Sequence, residues 1–207
     1  MAANPAAGER ATRLGLNALT GAVLLFLVAP ILVIVPLSFS SGSFFYYPLP
    51  GFSRRWYEDF FTSSFWLPSL KNSLIVGVSA TVLATSLGTL AALGIWRARF
   101  PGQALMLAVL ISPMVVPVVI VAVGAYFAFA PLGLTDGYLG LILAHTTLGV
   151  PFVVITVLAT LSAFDRTLIR AAESLGASPI TAFRRVMLPL ILPGVTSGAV
   201  FAFKGGG

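Results

Sequence analysis

The groups in this 207-residue chain that could move protons or hold a metal are few: six carboxylates, one histidine and no cysteine. General acid–base or metal chemistry needs two or three such groups to converge on one point. Glu9, Glu58, Asp59, Asp136, Asp165, Glu173 and His145 are instead spread along the chain between long apolar runs, and only Glu58 and Asp59 are adjacent. That adjacent pair reads as a solvated surface. The missing cysteines exclude thiolate ligands, a thiol nucleophile and disulfides. Neither Lys71 nor Lys204 follows the Gly-x-x-x-x-Gly loop that cradles nucleotide phosphates, so ATP hydrolysis is not expected on this chain. A membrane enzyme with its own catalytic centre is disfavoured, and no catalytic residue, metal ligand or bound cofactor is assigned.

The segment that organises polar and apolar residues most clearly runs Asp165-Arg166-Thr167-Leu168-Ile169-Arg170-Ala171-Ala172-Glu173-Ser174-Leu175-Gly176-Ala177-Ser178-Pro179. Leu168, Ala172 and Leu175 share one helical face, while Arg166, Arg170 and Glu173 lie elsewhere around the axis. Gly176 is a helix stop. Ser178 before Pro179 reads as an N-cap with proline at the first helical position, starting a helix that continues through Phe183. The spacing predicts a short amphipathic helix, a tight turn and a new helix. By itself, such a helix could equally lie on the bilayer surface or dock on a partner.

These residues resemble the EAA motif of the integral-membrane permeases of binding-protein-dependent ABC importers: Glu-Ala-Ala, a glycine four residues later, and an Ile-x-Leu-Pro ending. Ala171 and Ala172 match the alanines, Gly176 the glycine, and Val186-Met187-Leu188-Pro189 the ending. Arg170 stands where the family usually has Glu, with Glu173 three residues on as a partial substitute. The resemblance covers the chain from Asn72-Ser73-Leu74 through Phe203. It implies that residues 164–185 are a coupling loop, with Leu168, Arg170, Ala171, Ala172, Glu173, Leu175, Gly176, Ala177, Ser178 and Pro179 at the docking site of a separate ATPase. It also implies an ATP-binding subunit dimer carrying ATP and Mg, a second homologous permease subunit, and a periplasmic or lipid-anchored substrate-binding protein. Bulky substitution at Ala172 or Gly176 is expected to uncouple transport. Gly88-Thr89-Leu90-Ala91-Ala92, Arg97-Ala98-Arg99-Phe100-Pro101-Gly102 and residues 171–179 look most like the spermidine/putrescine type. Related subunits serve ferric iron, thiamine, sulfate, molybdate and phosphonate.

The elements that must position this loop follow from composition. Hydrophobic residues make up 58% of the chain, charged residues 9%, and the mean hydropathy is +1.01; a soluble domain carries roughly 25% charged residues. A bilayer core needs roughly 20 apolar residues in a helix. Runs free of Asp, Glu, Lys and Arg occupy residues 14–38, 72–96, 104–129, 138–164 and 186–203. The expectation is an all-α polytopic membrane bundle. Residues 1–13 form a cytoplasmic N-terminal segment, residues 14–203 the transmembrane permease domain, and residues 204–207 a tail that reads as a truncation or artificial remnant. Five spans are visible where the resemblance implies six. The first run is too long for a cleaved signal, whose apolar region has about 7–15 residues.

Arg10, Arg13, Arg97, Arg99, Arg166, Arg170, Arg184 and Arg185 fall on one side of these spans, and Arg54, Arg55, Lys71 and Lys204 on the other. The excess places the N-terminus in the cytoplasm of a bacterial inner-membrane protein. Residues 39–71, with Phe44, Phe45, Tyr46, Tyr47, Trp56, Tyr57 and Trp66, form an external connection at the interface. The basic residues are too scattered for a nucleic-acid surface.

Ala80, Ala84, Gly88 and Ala92 make a smooth ridge for close helix packing. Pro113 and Pro117 are expected to interrupt the third span and Gly149-Val150-Pro151 the fourth, exposing backbone groups along a translocation path. His145 could line that path, although a hydrogen bond to a neighbouring helix is the more ordinary role. It is the single ionisable residue within the spans, which disfavours an ion-coupled carrier. A non-catalytic structural membrane subunit is the remaining alternative.

Overall fold

The computed structural model describes residues 5–44, 47–98 and 100–206, so Phe45, Tyr46 and Arg99 of the readings above lie outside the described residues. The described chain is all-α and forms two compact units, residues 1–68 and 69–207.

The first unit contains α1 (Pro5–Leu37), α2 (Arg55–Thr62) and the start of α3 (Trp66–Arg97). α2 forms inside the stretch expected as an external connection, where Trp56, Tyr57, Phe60 and Phe61 alternate with Arg55, Glu58 and Asp59 at helical spacing. It is tied to the preceding loop. Trp56 Nε1 donates to the Ser40 carbonyl at 3.0 Å, the Arg55 guanidinium lies 4.5 Å from the centre of the Trp56 ring, and Tyr57 and Ser38 hydroxyls meet at 2.7 Å.

The second unit holds the rest of α3, then α4 (Gln103–Val115), α5 (Val118–Phe129), α6 (Tyr138–Ser162), α7 (Thr167–Ser174), α8 (Pro179–Ala182), a π turn (Phe183–Met187) and α9 (Leu188–Gly206). α3 and α6 run parallel, because both of their ends are pinned. The Tyr138 hydroxyl donates to Asn72 Oδ1 at 2.7 Å near their starts, and Arg166 Nη2 donates to the Trp96 carbonyl at 2.7 Å beyond their ends. α4 and α5 must therefore carry the chain back across. They do so with a bend of 108° at the break between them.

Of the two prolines in that span, only Pro117 makes the break. It and Val116 are extended, with ψ of 132° and 134°, as expected for a proline and the residue before it. Pro113 stays inside α4 because the Ser112 hydroxyl donates to the Val109 carbonyl at 2.8 Å, satisfying the group that a proline at position 113 leaves unpaired. The expected interruption of the fourth span does not occur. Pro151 is fully buried within an unbroken α6.

The core lies along α3, α6 and α9. Ala80, Ala84, Gly88 and Ala92 are all buried, and a Cβ at Gly88 would stand 2.7 Å from Val153 Cβ. α9 packs antiparallel to α6 through a second ridge, Gly194, Gly198 and Ala202. A Cβ at Gly194 would stand 2.8 Å from the Thr156 carbonyl oxygen, and one at Gly198 would stand 2.8 Å from Val153 Cα. Gly149 lies where the helices meet, with a Cβ there 3.0 Å from Ala84 Cβ and 3.1 Å from Ala202 Cβ. In lipid, where helix association gains little from hydrophobicity, such contacts supply the attraction. Thr156 and Thr160 satisfy their hydroxyls within α6, on the Phe152 and Thr156 carbonyls at 3.0 Å each.

Candidate functional site

The helix-turn-helix of residues 165–182 is held by local chemistry at each joint. At the start of α7, Asp165 accepts from the Thr167 backbone N–H at 2.8 Å and from the Thr167 hydroxyl at 2.6 Å. The hydroxyl bond, then the backbone bond, and more weakly the Arg170 charge hold the Asp165 carboxyl below its ordinary value of 3.8. A carboxyl depressed by folding stabilises the loop above the unfolded value and loses that effect as pH falls through the folded one. We expect exchange of the Thr167 amide hydrogen to accelerate as pH is lowered below 3.8, beyond the intrinsic dependence. In Asp165→Asn that extra pH dependence should vanish; its persistence would show that another group titrates.

α7 ends in paired reverse bonds, Gly176 N–H to the Glu173 carbonyl at 2.9 Å and Ala177 N–H to the Ala172 carbonyl at 3.0 Å. This closure needs a left-handed residue at position 176, and Gly176 has φ of +85°. Ser178 then caps α8, its hydroxyl oxygen accepting from the Thr181 N–H at 3.3 Å, with Pro179 at the first helical position. The π turn that follows was not anticipated. It lies just before Pro189, which lacks an N–H and whose ring would crowd the Arg185 carbonyl in an ordinary α-turn. The Leu-Pro of residues 188–189 was the available signal.

One face of this unit is anchored and the other is free. Ile169 and Phe183 pack on the buried core of α3, α6 and α9. Arg166 stacks on Trp96 at 4.1 Å while donating to its carbonyl, and Trp96 meets Phe164 edge-on at 5.7 Å. Gln103 Nε2 takes the neighbouring Ile95 carbonyl at 2.8 Å, so two orphan carbonyls at the end of α3 are satisfied by side chains. On the opposite face Leu168, Leu175 and Ile180 are 43%, 89% and 71% exposed, with Ala171 also exposed. Ala172 and Ala177 are half-buried. Arg170 and Glu173 are exposed and face a cavity of about 390 Å³ that also borders Trp96 and Phe183.

The candidate path residues are not gathered in one place. His145 borders a cavity of about 280 Å³ between α5 and α6, together with Tyr126 and Thr135, and its buried Nδ1 has no hydrogen-bond partner among the described residues. The helix-to-helix hydrogen bond expected for it is therefore not made through Nδ1. α5, which starts directly after Pro117, lines the same cavity, whereas Pro113 lies within α4 and Pro151 in the packed core.

Because α3 and α6 are parallel and α9 antiparallel, Arg97, Arg166, Arg170, Arg184 and Arg185 all lie at one end of the second unit. Asn72, next to Lys71, and Phe203, next to Lys204 and 3.2 Å from a Cβ at Gly77, lie at the other. The projecting loop emerges from the arginine-rich end.

Residues 84–206, which contain all of this geometry except the start of α3, match the family model described as the binding-protein-dependent transport system inner membrane component. The chain is 35% identical over 189 residues to the spermidine/putrescine transport system permease protein PotC of Haemophilus influenzae, covering 90% of this chain and 72% of that protein. It is 34% identical to PotC of Escherichia coli K12, covering 88% and 69%, and 32% identical to the putrescine transport system permease protein PotI of that strain, covering 86% and 66%. With a packed set of long apolar helices and a match over more than half its length, this chain belongs to the family of inner-membrane permease components of binding-protein-dependent ABC importers.

Proposed function

We propose that this chain lines part of a polyamine path across the inner membrane and is driven by a separate ATP-binding subunit docked on α7 and α8. The observation that carries the docking is the exposed apolar set Ala171, Leu175 and Ile180 on a loop whose opposite face is locked to the helix core. Closure of an ATP-binding dimer, which holds ATP and Mg, would push on that face. The anchors at Ile169 and Phe183 would pass the displacement through the π turn to α9 and, by its close seam, to α6. Positive residues favour the cytoplasmic side, which puts the arginine-rich end with the ATPase and the N-terminus in the cytoplasm. A second homologous permease would close the path opposite this one, and an external binding protein would deliver the substrate. His145 is assigned to the path because it borders the cavity between α5 and α6, and Pro117 because it breaks the span directly before Val118, which lines that cavity.

The polyamine assignment rests on the names of PotC and PotI. Its test is ATPase stimulation in the reconstituted complex with its binding protein. Spermidine or putrescine should raise the rate severalfold, while sulfate, molybdate, phosphonate, thiamine and ferric iron should not. Stimulation by one of those and not by polyamines would overturn the assignment and leave the docking intact.

A further inference from the structure

The cavity behind the docking face has a composition that docking does not use. Three arginines, Arg97, Arg166 and Arg170, line it together with the apolar Leu93, Ile169 and Met187, and Glu173 is the one acidic residue in its lining. Arg166 is already engaged by Trp96. The guanidinium groups of Arg97 and Arg170 make no hydrogen bond or ion pair among the described residues, although Asp165 lies close enough to Arg170 to feel its charge. Two unpaired guanidinium forks beside an apolar floor suit a phosphate oxygen pair better than water or a chloride ion.

The surface leading to the cavity distinguishes a lipid from a free anion. On α3, Leu83, Leu87 and Leu90 are exposed at spacings of four and three, and the same face continues through Leu93 to Arg97. An apolar track that descends a membrane helix and ends at basic residues matches an acyl chain with its headgroup at the interface.

We propose that this cavity binds the phosphodiester headgroup of an anionic membrane phospholipid, held by Arg97 and Arg170, with an acyl chain along Leu83, Leu87 and Leu90. The lipid would lie between the end of α3 and the inner face of α7, beside the π turn. The proposal rests on the arginine-rich end lying at a membrane surface and is independent of any ATPase.

The test uses the delipidated full chain in detergent, with lipid retention read by native mass spectrometry. Dioleoyl phosphatidylglycerol should be retained at a stoichiometry of one in preference to dioleoyl phosphatidylcholine, and millimolar inorganic phosphate should not displace it. Arg97→Gln with Arg170→Gln should weaken retention about thirtyfold, since each interfacial arginine contributes about fivefold. Arg97→Lys with Arg170→Lys should keep most of it. Equal retention of the two lipids, or undiminished phosphatidylglycerol binding in the glutamine pair, overturns the proposal. Displacement by inorganic phosphate would mark a free-anion site instead and also overturn it. Should the glutamine pair fail to fold, the wild-type comparison of the two lipids decides alone. No ATPase is present, so failure here leaves the transport reading untouched.

Discussion

Leu175→Asp should abolish ATP-driven uptake while leaving the chain inserted and folded. Leu175 is 89% exposed and caps the end of α7, between the anchoring residues Ile169 and Phe183. No hydrogen bond or ring contact among the described residues involves its side chain, so the expected change in stability is under about 0.5 kcal/mol. In a docked complex the same side chain would be desolvated, gaining roughly 1.5–3 kcal/mol from burial. A carboxylate there forfeits that gain and adds its own desolvation penalty. Loss of affinity for the ATP-binding subunit should be at least about hundredfold, read by copurification, with uptake falling to background. Full uptake by a correctly inserted Leu175→Asp chain would remove the docking face from the account.

This substitution isolates docking better than bulky changes at Ala172 or Gly176. Ala172 is half-buried, and Gly176 has a left-handed backbone that any side chain would strain by roughly 1 kcal/mol or more. Loss of transport in those variants would mix altered folding of the loop with altered contact. Ala171, exposed beside Leu175, gives a second clean position.

The other large effect is structural. Gly198→Leu should separate α9 from α6 and prevent stable assembly of the second unit. A Cβ at position 198 stands 2.8 Å from Val153 Cα, a backbone atom in the middle of a fully buried helix face, so the neighbour cannot swing away. Overpacking a close seam costs typically 1–3 kcal/mol, and a side chain of four carbons against backbone lies at or above that range. The displaced seam includes Val153, Val157, Leu161 and Ile191, all with no exposed surface. Gly94→Leu is the matched control, because a Cβ there meets nothing within 4 Å. Thermal aggregation in detergent should occur at clearly lower temperature for Gly198→Leu and be almost unchanged for Gly94→Leu. Equal behaviour of the two would show that the α6–α9 seam does not hold the bundle.

Much of this organisation is legible in local spacing. The stop at Gly176, the cap at Ser178 and the small ridge on α3 each depend on residues within a turn or two of one another, and the spacing alone implies them. The second ridge, Gly194, Gly198 and Ala202, has the same four-residue spacing and could have been read in the same way. Pro117 and Pro151 were harder to separate. Whether a proline breaks a membrane helix depends on what packs beside it, and Pro151 lies in the most buried stretch of α6. The Arg166–Trp96 stack joins residues 70 positions apart, so no local pattern foretells it. It explains why Arg166, which begins the amphipathic loop, serves the fold and leaves Leu168, Ala171 and Leu175 to face outward.

The chain has no cysteine, so Leu175→Cys would carry its one thiol at the centre of the exposed face. Labelling of that thiol by a membrane-impermeant maleimide in inside-out vesicles, with and without the ATP-binding subunit, tests the central claim most directly. The account predicts rapid labelling of the chain alone and at least tenfold protection when the subunit is bound. Unchanged labelling in a complex that still imports substrate would contradict it.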